Sequence, residues 1–355
     1  MGLFTKATKH SYLGVDLGMS GLKLVELLNE KGRARLVTYA YADYPDVKTE
    51  RSYTENTRAA GELLKRMVEK ARATTKRTIG ALPISSVFSS IISVPAASDK
   101  ELKEAINWQA KKLIPMPLEE ISLDSKVIEG VQAGEEKKKV SSVLLTGAPS
   151  SLVSKYVEIL TIAGLEPLAL ETEAFAQIRS LVGKDRSTVM IVDIGALRTN
   201  LTMVERGIPF LSRSIATGGV AITTTIAQTL GIPFEQAEGM KRDIKTMQAF
   251  APTGDIIPIL QTLLKPVIDE IKYSFNLYQG QTEAGVQKRI DKIIVTGGSA
   301  LLPRLPEFLT QIMNVNTYLG DPWARVVYPE DLRPVLEEIG SRFAVAVGCA
   351  MRDIE

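Results

Sequence analysis

Two stretches decide the fold: Tyr12-Leu13-Gly14-Val15-Asp16-Leu17-Gly18 and, far along the chain, Val189-Met190-Ile191-Val192-Asp193-Ile194-Gly195. Each is a run of apolar residues ending in an acid and a glycine, and a continuous apolar run of this length reads as a strand buried on both faces. The downstream pattern is shared as well. After Gly18, a strand-like run over 22–28 leads into the turn Asn29-Glu30-Lys31-Gly32, and after Gly195 a run over 199–204 leads into Glu205-Arg206-Gly207. The duplication points to two similar α/β lobes, because its spacing far exceeds the roughly 20–50 residue period of a solenoid.

Working outward, the 355 residues leave room for about two domains of roughly 150 residues each. Lys and Arg number 43 against 41 for Asp and Glu, so the chain lacks the concentrated basic excess on which nucleic-acid binding relies. The 45% apolar composition excludes bulk disorder. One cysteine, Cys349, and one histidine, His10, leave no material for an internal disulfide, a His-based zinc site or a Ser-His-Asp triad. Cys349 sits in the apolar run 343–351 and reads as a buried, inert thiol in a reducing compartment. No apolar stretch approaches the ~20 residues of a membrane span, and the N-terminus lacks the core of a signal peptide. Met1-Gly2 is followed by Lys6 where a myristoylation site has Ser or Thr. A cytoplasmic protein is expected.

Helical patterns cover 54–73, 98–113, 150–163, 219–230, 234–248, 256–280, about 306–313 and 334–352. Ser98 and Glu101 form a capping box for the second of these, and Pro115-Met116-Pro117 ends it. Strand-like runs at 121–129 and 140–147 flank the charged tip Lys137-Lys138-Lys139, and another strand is expected at 293–295. Residues 84–166 therefore read as a small α+β unit inserted into the first lobe. The expected division is 1–83, 167–187 and 340–355 for the first-lobe core and 84–166 for the insert. Residues 188–222 and 290–339 form the second-lobe core, and 223–289 its helical part.

Asp-x-Gly at the end of a buried strand, once in each lobe, suits a magnesium nucleotide held between them. Mg²⁺ favours one or two carboxylates and keeps several waters, so Asp16 and Asp193 are the candidate metal residues. Gly18 and Gly195 leave backbone N–H groups free to approach phosphate oxygens. Ser20 and Thr199 offer hydroxyls, and Lys23, seven positions after Asp16, offers a point charge. A lone Asp-x-Gly is an ordinary strand-ending turn; the duplication makes it a candidate site. Two glycine-rich loops, Thr217-Gly218-Gly219 ahead of a helix and Gly297-Gly298-Ser299 after a strand, fit the same pocket. Glu238 and Lys241, three apart on one helix, have the reach to hydrogen-bond a ribose, or to pair with each other. Neither a P-loop motif nor GxGxxG occurs.

This order of motifs, with Ala237-Glu238-Gly239-Met240-Lys241 between the two Gly-Gly loops, is similar to the actin, Hsp70 and sugar-kinase superfamily. Within it the chain most resembles the PilM family of type IV pilus assembly, which is FtsA-like. The most specific stretches are Leu82-Pro83-Ile84-Ser85, Glu101-Leu102 through Leu118, and Ala163-Gly164-Leu165 through Ala176. The resemblance implies an actin-like (ribonuclease H-like) two-lobed α/β fold with an FtsA-type inserted α+β subdomain. It also implies ATP or ADP with Mg²⁺ in the cleft, and Leu301 against the base where Hsp70-like proteins place an arginine. Glu171 matches the region of the superfamily's water-orienting acid, with Glu173 as a competitor. The loop Asp193-Ile194-Gly195-Ala196-Leu197-Arg198 lacks the glycine run of strong ATPases, so weak or no hydrolysis is expected.

As partner, the resemblance implies the cytoplasmic N-terminal tail of the membrane protein PilN in a docking groove; the candidate groove residues are Leu113, Ile114, Leu118 and Ile121, beside the Pro115-Met116-Pro117 break, with packing between insert and lobe as the alternative role for each. Other inner-membrane and motor components of the pilus machine are further partners, with nucleic acid excluded. Attachment at the inner membrane is then indirect, since the chain closes on Met351-Arg352-Asp353-Ile354-Glu355 without FtsA's amphipathic helix. A filament former and a small-metabolite kinase remain the alternatives, because fold alone does not decide function.

Overall fold

In a computed structural model, which describes residues 10–44, 53–95, 99–133, 138–243, 245, 248, 256–283 and 286–354, both apolar runs form central strands. Residues 12–17 are all buried within β1 (Ser11–Gly18), and β9 (Val189–Ile194) is buried at every position except Asp193. β1 lies antiparallel to β2 (Gly21–Glu30) and parallel to β4 (Arg77–Leu82). With β3 (Arg33–Asp43) and β8 (Glu166–Thr172), the sheet order is β3-β2-β1-β4-β8. β9 repeats this pattern. It is antiparallel to β10 (Thr199–Glu205) and parallel to β14 (Lys292–Thr296). With β11 (Ile208–Ile215) and β15 (Thr317–Leu319), the order is β11-β10-β9-β14-β15. Two sheets of one topology thus stem from the two repeated motifs. A short antiparallel pair, β12 (Thr282–Glu283) and β13 (Val286–Gln287), precedes β14.

A third sheet, β5 (Phe88–Pro95), β7 (Lys138–Pro149) and β6 (Ile121–Ala133) in that order, packs with α2 (Asp99–Leu113) around its own core of Ile92, Val94, Ile106, Ala110, Val143 and Leu145. Ile114 and Ile121 belong to that core, at 5% and 9% exposure. Their burial removes both from the expected peptide groove. Leu113 is exposed and Leu118 half-buried.

The structure redraws several expected boundaries. α3 (Ser150–Ile162) packs on α1 (Thr57–Lys70), and its Tyr156, Ile159 and Leu160 share a core with Leu13, Leu24 and Leu64. Residues 150–166 therefore belong with the first sheet, not with the insert. Likewise β16 (Val326–Val327) pairs with β3, and Trp323, Leu336 and Ile339 pack with Tyr12 and Phe343. The segment 323–339 thus joins the first lobe. The helix expected over 256–280 is two, Ile257–Leu263 and Lys265–Gln279, because Pro266 supplies no N–H and clashes with the preceding turn. That over 334–352 breaks into Arg333–Ile339, a 3₁₀ turn Gly340–Arg342 and Ala344–Met351. Its break follows from the Ser341 carbonyl, which accepts from the Gly297 N–H and the Thr296 hydroxyl, both at 2.9 Å, instead of from a helical neighbour. The helix expected over 234–248 is described as Phe234–Arg242. Ser98 of the capping box, Lys137 of the hairpin tip, and Met1, Gly2 and Lys6 lie outside the described residues. Among the described residues no helix is long and apolar enough to cross a membrane.

The segment Ala344–Met351 is buried at all eight positions and lies directly on β1. A Cβ on Gly14 would stand 1.9 Å from the Ala346 carbonyl oxygen, and one on Gly348 would stand 1.9 Å from that of Ala176. Cys349, inside this contact, is a free buried thiol whose pKa burial pushes up, which suits an inert side chain. Since backbone rather than a flexible side chain meets the added methyl, Gly14→Ala is expected to destabilise by at least ~1–3 kcal/mol in urea titrations. Gly239→Ala, helical and with nothing within 4 Å of its Cβ, is expected to be neutral or to stabilise by up to about 1 kcal/mol. Equal effects of the two substitutions would refute the packing argument.

Candidate functional site

Hairpin register positions the first groups. In β1–β2, Asp16 stands opposite Lys23; in β9–β10, Asp193 stands opposite Asn200. Directly opposed residues share a sheet face, so each hairpin delivers an acid and a polar partner to one place. Lys23 Nζ meets Asp16 Oδ2 at 3.1 Å, with both side chains 9% exposed. Asn200 turns elsewhere: its amide donates to Glu173 Oε2 at 3.3 Å and its oxygen accepts from the Ser214 hydroxyl at 2.7 Å.

Both hairpins open on one cavity of about 830 Å³ lined by Asp16 and Asp193 alike, within the size range of small-molecule sites. A third acid, Glu173, enters from the short helix α4 (Glu173–Gln177) that follows β8. Glu173 and Asp193 keep some accessible surface toward the cavity yet are enclosed by protein. Burial, then the charges of Asp16 and Asp193, push the Glu173 carboxyl up to about 8. Burial also raises Asp193 to about 6, with the Asp16 charge adding to it and a hydrogen bond from Gln177 opposing it. Three acids and one ammonium, Lys23, therefore crowd one wall of the cavity, whose other walls carry Arg198, Lys241, Arg242 and Arg342. Among the described residues no group of three His, Cys, Asp or Glu side chains could cage a metal unaided. A cation that keeps several waters and takes phosphate oxygens as ligands needs no such cage.

The opposite wall is built from α5 (Gly219–Leu230) and α6 (Phe234–Arg242). Lys241 is buried, and its ammonium donates to Glu238 Oε2 at 2.6 Å, the Thr223 hydroxyl at 2.9 Å and the Gly219 carbonyl at 3.2 Å. Burial depresses the Lys241 pKa, with Glu238 opposing; burial works to raise Glu238, but its bond to Lys241 and the Lys241 charge leave it lowered overall. Gly297 closes the third side at φ +88°, and a Cβ there would lie 2.3 Å from Asp193 Oδ1. Only glycine lets this turn pass over the acid.

Of the sequence-derived candidates, Asp16, Gly18, Ser20, Lys23, Asp193, Gly195, Gly219, Glu238, Lys241, Gly297, Gly298, Ser299 and Leu301 all line the cavity. Three do not. Thr199 is fully buried with its hydroxyl on the Thr217 carbonyl at 2.7 Å. Gly218 lies behind Gly219, where a Cβ would meet the Ala196 carbonyl at 2.6 Å. Glu171 is corrected: both its oxygens pair with Arg179, at 2.7 and 2.8 Å, and the acid that reaches the cavity is its competitor Glu173. The anion site expected at the start of α5 is also weakened, because the Gly219 and Val220 N–H groups bind the Gly195 and Ala196 carbonyls.

Sequence reasoning missed Asn200, Gln177 and Arg342, which also line the cavity. A signal existed for Asn200, which follows Asp193 by the same interval as Lys23 follows Asp16. For Arg342, which crosses the cavity to pair with Asp43 and stack over Tyr41, none existed. The root of the insert is wired in as well: Pro83, Ser85 and Ser86 line the cavity, and the Ile84 N–H donates to Glu173 Oε2 at 3.0 Å.

A family model described as type IV pilus assembly protein PilM matches residues 14–354. A solved structure described as the PilM–PilN type IV pilus biogenesis complex is similar at 26% identity and a TM-score of 0.81, covering 97% of this chain and 98% of that one. The ethanolamine utilization protein EutJ from Carboxydothermus hydrogenoformans shares the fold at 16% identity and a TM-score of 0.55, covering 98% and 91%. So does MreB 5 of Spiroplasma citri bound to AMPPNP, at 13% identity and a TM-score of 0.51, covering 96% and 94%.

The crowded carboxylates predict a pH dependence. Glu173 holds its proton more tightly in the fold, at about 8, than at its ordinary value of 4.5. The contribution of this one group to the stability of the ligand-free protein is thus full below the ordinary value and is lost as pH rises toward about 8, by up to ~1.4 kcal/mol per unit. Glu173→Gln is expected to flatten this slope in urea titrations across that range. An already flat wild-type profile would contradict the crowding.

Proposed function

We propose that this chain, which belongs to the PilM family of type IV pilus assembly proteins, holds a magnesium nucleotide between its two sheets and docks PilN through the inserted subdomain. One observation carries the nucleotide reading: two acids at equivalent positions of the repeated hairpins, Asp16 and Asp193, line the same cavity although they lie far apart in the chain. A divalent cation fits these residues, since it would offset the repulsion among Asp16, Glu173 and Asp193 that raises Glu173 and Asp193. When bound, it would neutralise the nucleotide's phosphates against those acids. Asp16 and Asp193 would face it, and Lys23 would add its charge to the phosphates. Glu238 and Lys241, paired with each other in the ligand-free cavity, would exchange part of that pairing for ribose hydroxyls, and Ser299 and Leu301 would face the base. MreB 5 of Spiroplasma citri was crystallised with AMPPNP, an adenine nucleotide of the kind proposed here.

Slow turnover is the expected behaviour. Glu173, the acid nearest in kind to a water-orienting group, already accepts from the Ile84 N–H and the Asn200 amide, and an acceptor so engaged is poorly free to redirect a water. The same bonds join a nucleotide-lining acid to the root of the insert and to a second-lobe hairpin. Nucleotide occupancy therefore has a direct route to the subdomain assigned here to partner binding, as ligand-biased lobe closure requires.

For the partner, the solved PilM–PilN complex supports PilN, and the surface chemistry of the insert fits an extended peptide with apolar anchors. Leu113, Met116 and Leu118 are accessible around the Pro115 and Pro117 break, and we assign the cytoplasmic N-terminal tail of PilN to them. Placement at the inner membrane then follows from the partner.

Asp16→Ala and Asp193→Ala are each expected to lower Mg-dependent ATP affinity at least tenfold in calorimetric titration of protein that circular dichroism shows to be folded; unchanged affinity in both variants would end the nucleotide assignment. Leu118→Asp is expected to weaken binding of a synthetic PilN-tail peptide about tenfold with ATP affinity unchanged. Full peptide affinity in that variant would exclude Leu118 from the groove.

A further inference from the structure

Asp16 and Asp193 are equivalent by topology but not by partner. Asp16 is held by an ammonium, Lys23. At the matching register in the second hairpin stands the neutral Asn200, and its amide goes to Glu173. Asp193 is held from the other lobe, where Gln177 Nε2 donates to Asp193 Oδ2 at 2.6 Å. A neutral amide orients a carboxylate without cancelling its charge.

Gln177 itself is 1% exposed, lines the cavity, and its Oε1 has no hydrogen-bond partner among the described residues. The orientation of the amide is settled by chemistry, because an ionised carboxylate only accepts; the N–H face must meet Asp193, and the oxygen must point away from it. A buried amide oxygen left without a donor costs on the order of 1–3 kcal/mol, so the residue is poorly explained as packing. Its setting is specific too. Gln177 lies one turn after Glu173 on α4, which puts both on one helix face. Immediately beyond it the backbone widens into a π-helical turn, Ile178–Val182, a feature common near functional sites. The Ser180 hydroxyl fastens that turn to the Ala344 carbonyl at 2.7 Å.

We infer that Gln177 is a positioning residue for the cation: its N–H group fixes the Asp193 carboxylate, and its amide oxygen accepts a hydrogen bond from a water in the cation's hydration shell. This rests on the magnesium-nucleotide reading above. A hydrated Mg²⁺ presents only donor hydrogens outward, and an orphaned amide oxygen beside a cation-facing carboxylate is the complementary group. Outer-shell partners of this kind typically matter ~10–100-fold in metal affinity.

The test measures ATP affinity of the full-length protein by calorimetry, with MgCl₂ and with EDTA, and takes the ratio as the metal enhancement. Gln177→Met keeps the volume and removes both polar atoms. Its enhancement is expected to fall about tenfold, with the EDTA affinity within about twofold of wild type. A purely structural role would move both affinities together. Gln177→Asn retains the amide one methylene short of Asp193 and is expected to lose most of the enhancement as well, so a Met variant that fails to fold does not decide the matter. Wild-type enhancement in a folded Met or Asn variant would overturn the role of Gln177 while leaving the nucleotide site standing. Absence of ATP binding by the wild-type protein in both buffers would overturn the site and this inference together.

Discussion

Charge imbalance in a shared cavity is the constraint on which the arrangement depends. Asp16, Glu173 and Asp193 converge with Lys23 as the ammonium among them, and burial together with mutual repulsion pushes Glu173 and Asp193 upward in pKa. A fold that placed these acids for stability alone would have paired or dispersed them, since an unpaired buried charge is costly. Here they line one cavity, with Glu173 and Asp193 raised and Lys23 paired to Asp16 alone. Perturbed groups of this kind are characteristic of functional sites, and they underlie the cation and nucleotide proposed for the cavity.

Two packing decisions hold that cavity open at the right width. Each acid ends a central strand, so its position is fixed by the sheet behind it, and the two sheets repeat one strand order. Between them runs the hinge 340–343, where the Ser341 carbonyl takes hydrogen bonds from Thr296 and Gly297 of the second lobe while Ala344–Met351 presses onto β1 of the first. The missing side chain of Gly14 lets β1 meet the backbone of Ala344–Met351 directly, and that of Gly348 lets the same segment meet α4 at Ala176. The insert joins this frame through Ile84 and Glu173. The surface proposed for the partner is therefore rooted in the wall of the cavity proposed for the nucleotide, which gives a member of the PilM family a physical path between the two.

Much of this was legible in the sequence. The repeated strand, acid and glycine set the number of lobes and their central strands, because an apolar run followed by a glycine turn encodes both burial and chain reversal locally. Most of the candidates that line the cavity were reachable for the same reason, lying within a few residues of such a signal. The failures have physical causes of equal clarity. Ile114 and Ile121 read as apolar and near a Pro break, which fits a groove or a core, and only the folded insert decides between them. Glu171 and Glu173 differ by two positions in a segment passing from strand to helix, and the change of period sends one to Arg179 and the other to the cavity.

The sequence by itself determined the duplicated α/β plan, the strand-end acids and the absence of thiol, histidine and P-loop chemistry, since composition and short-range pattern govern these. Tertiary structure alone decided which distant groups meet: Gln177 with Asp193, Asn200 with Glu173, Arg342 with Asp43, and segments 150–166 and 323–339 with the first sheet. Those pairings are set by how two lobes and an insert share a hinge. No local propensity carries that information, because the residues involved have ordinary neighbours in sequence and acquire their roles only from the surfaces the fold brings against them.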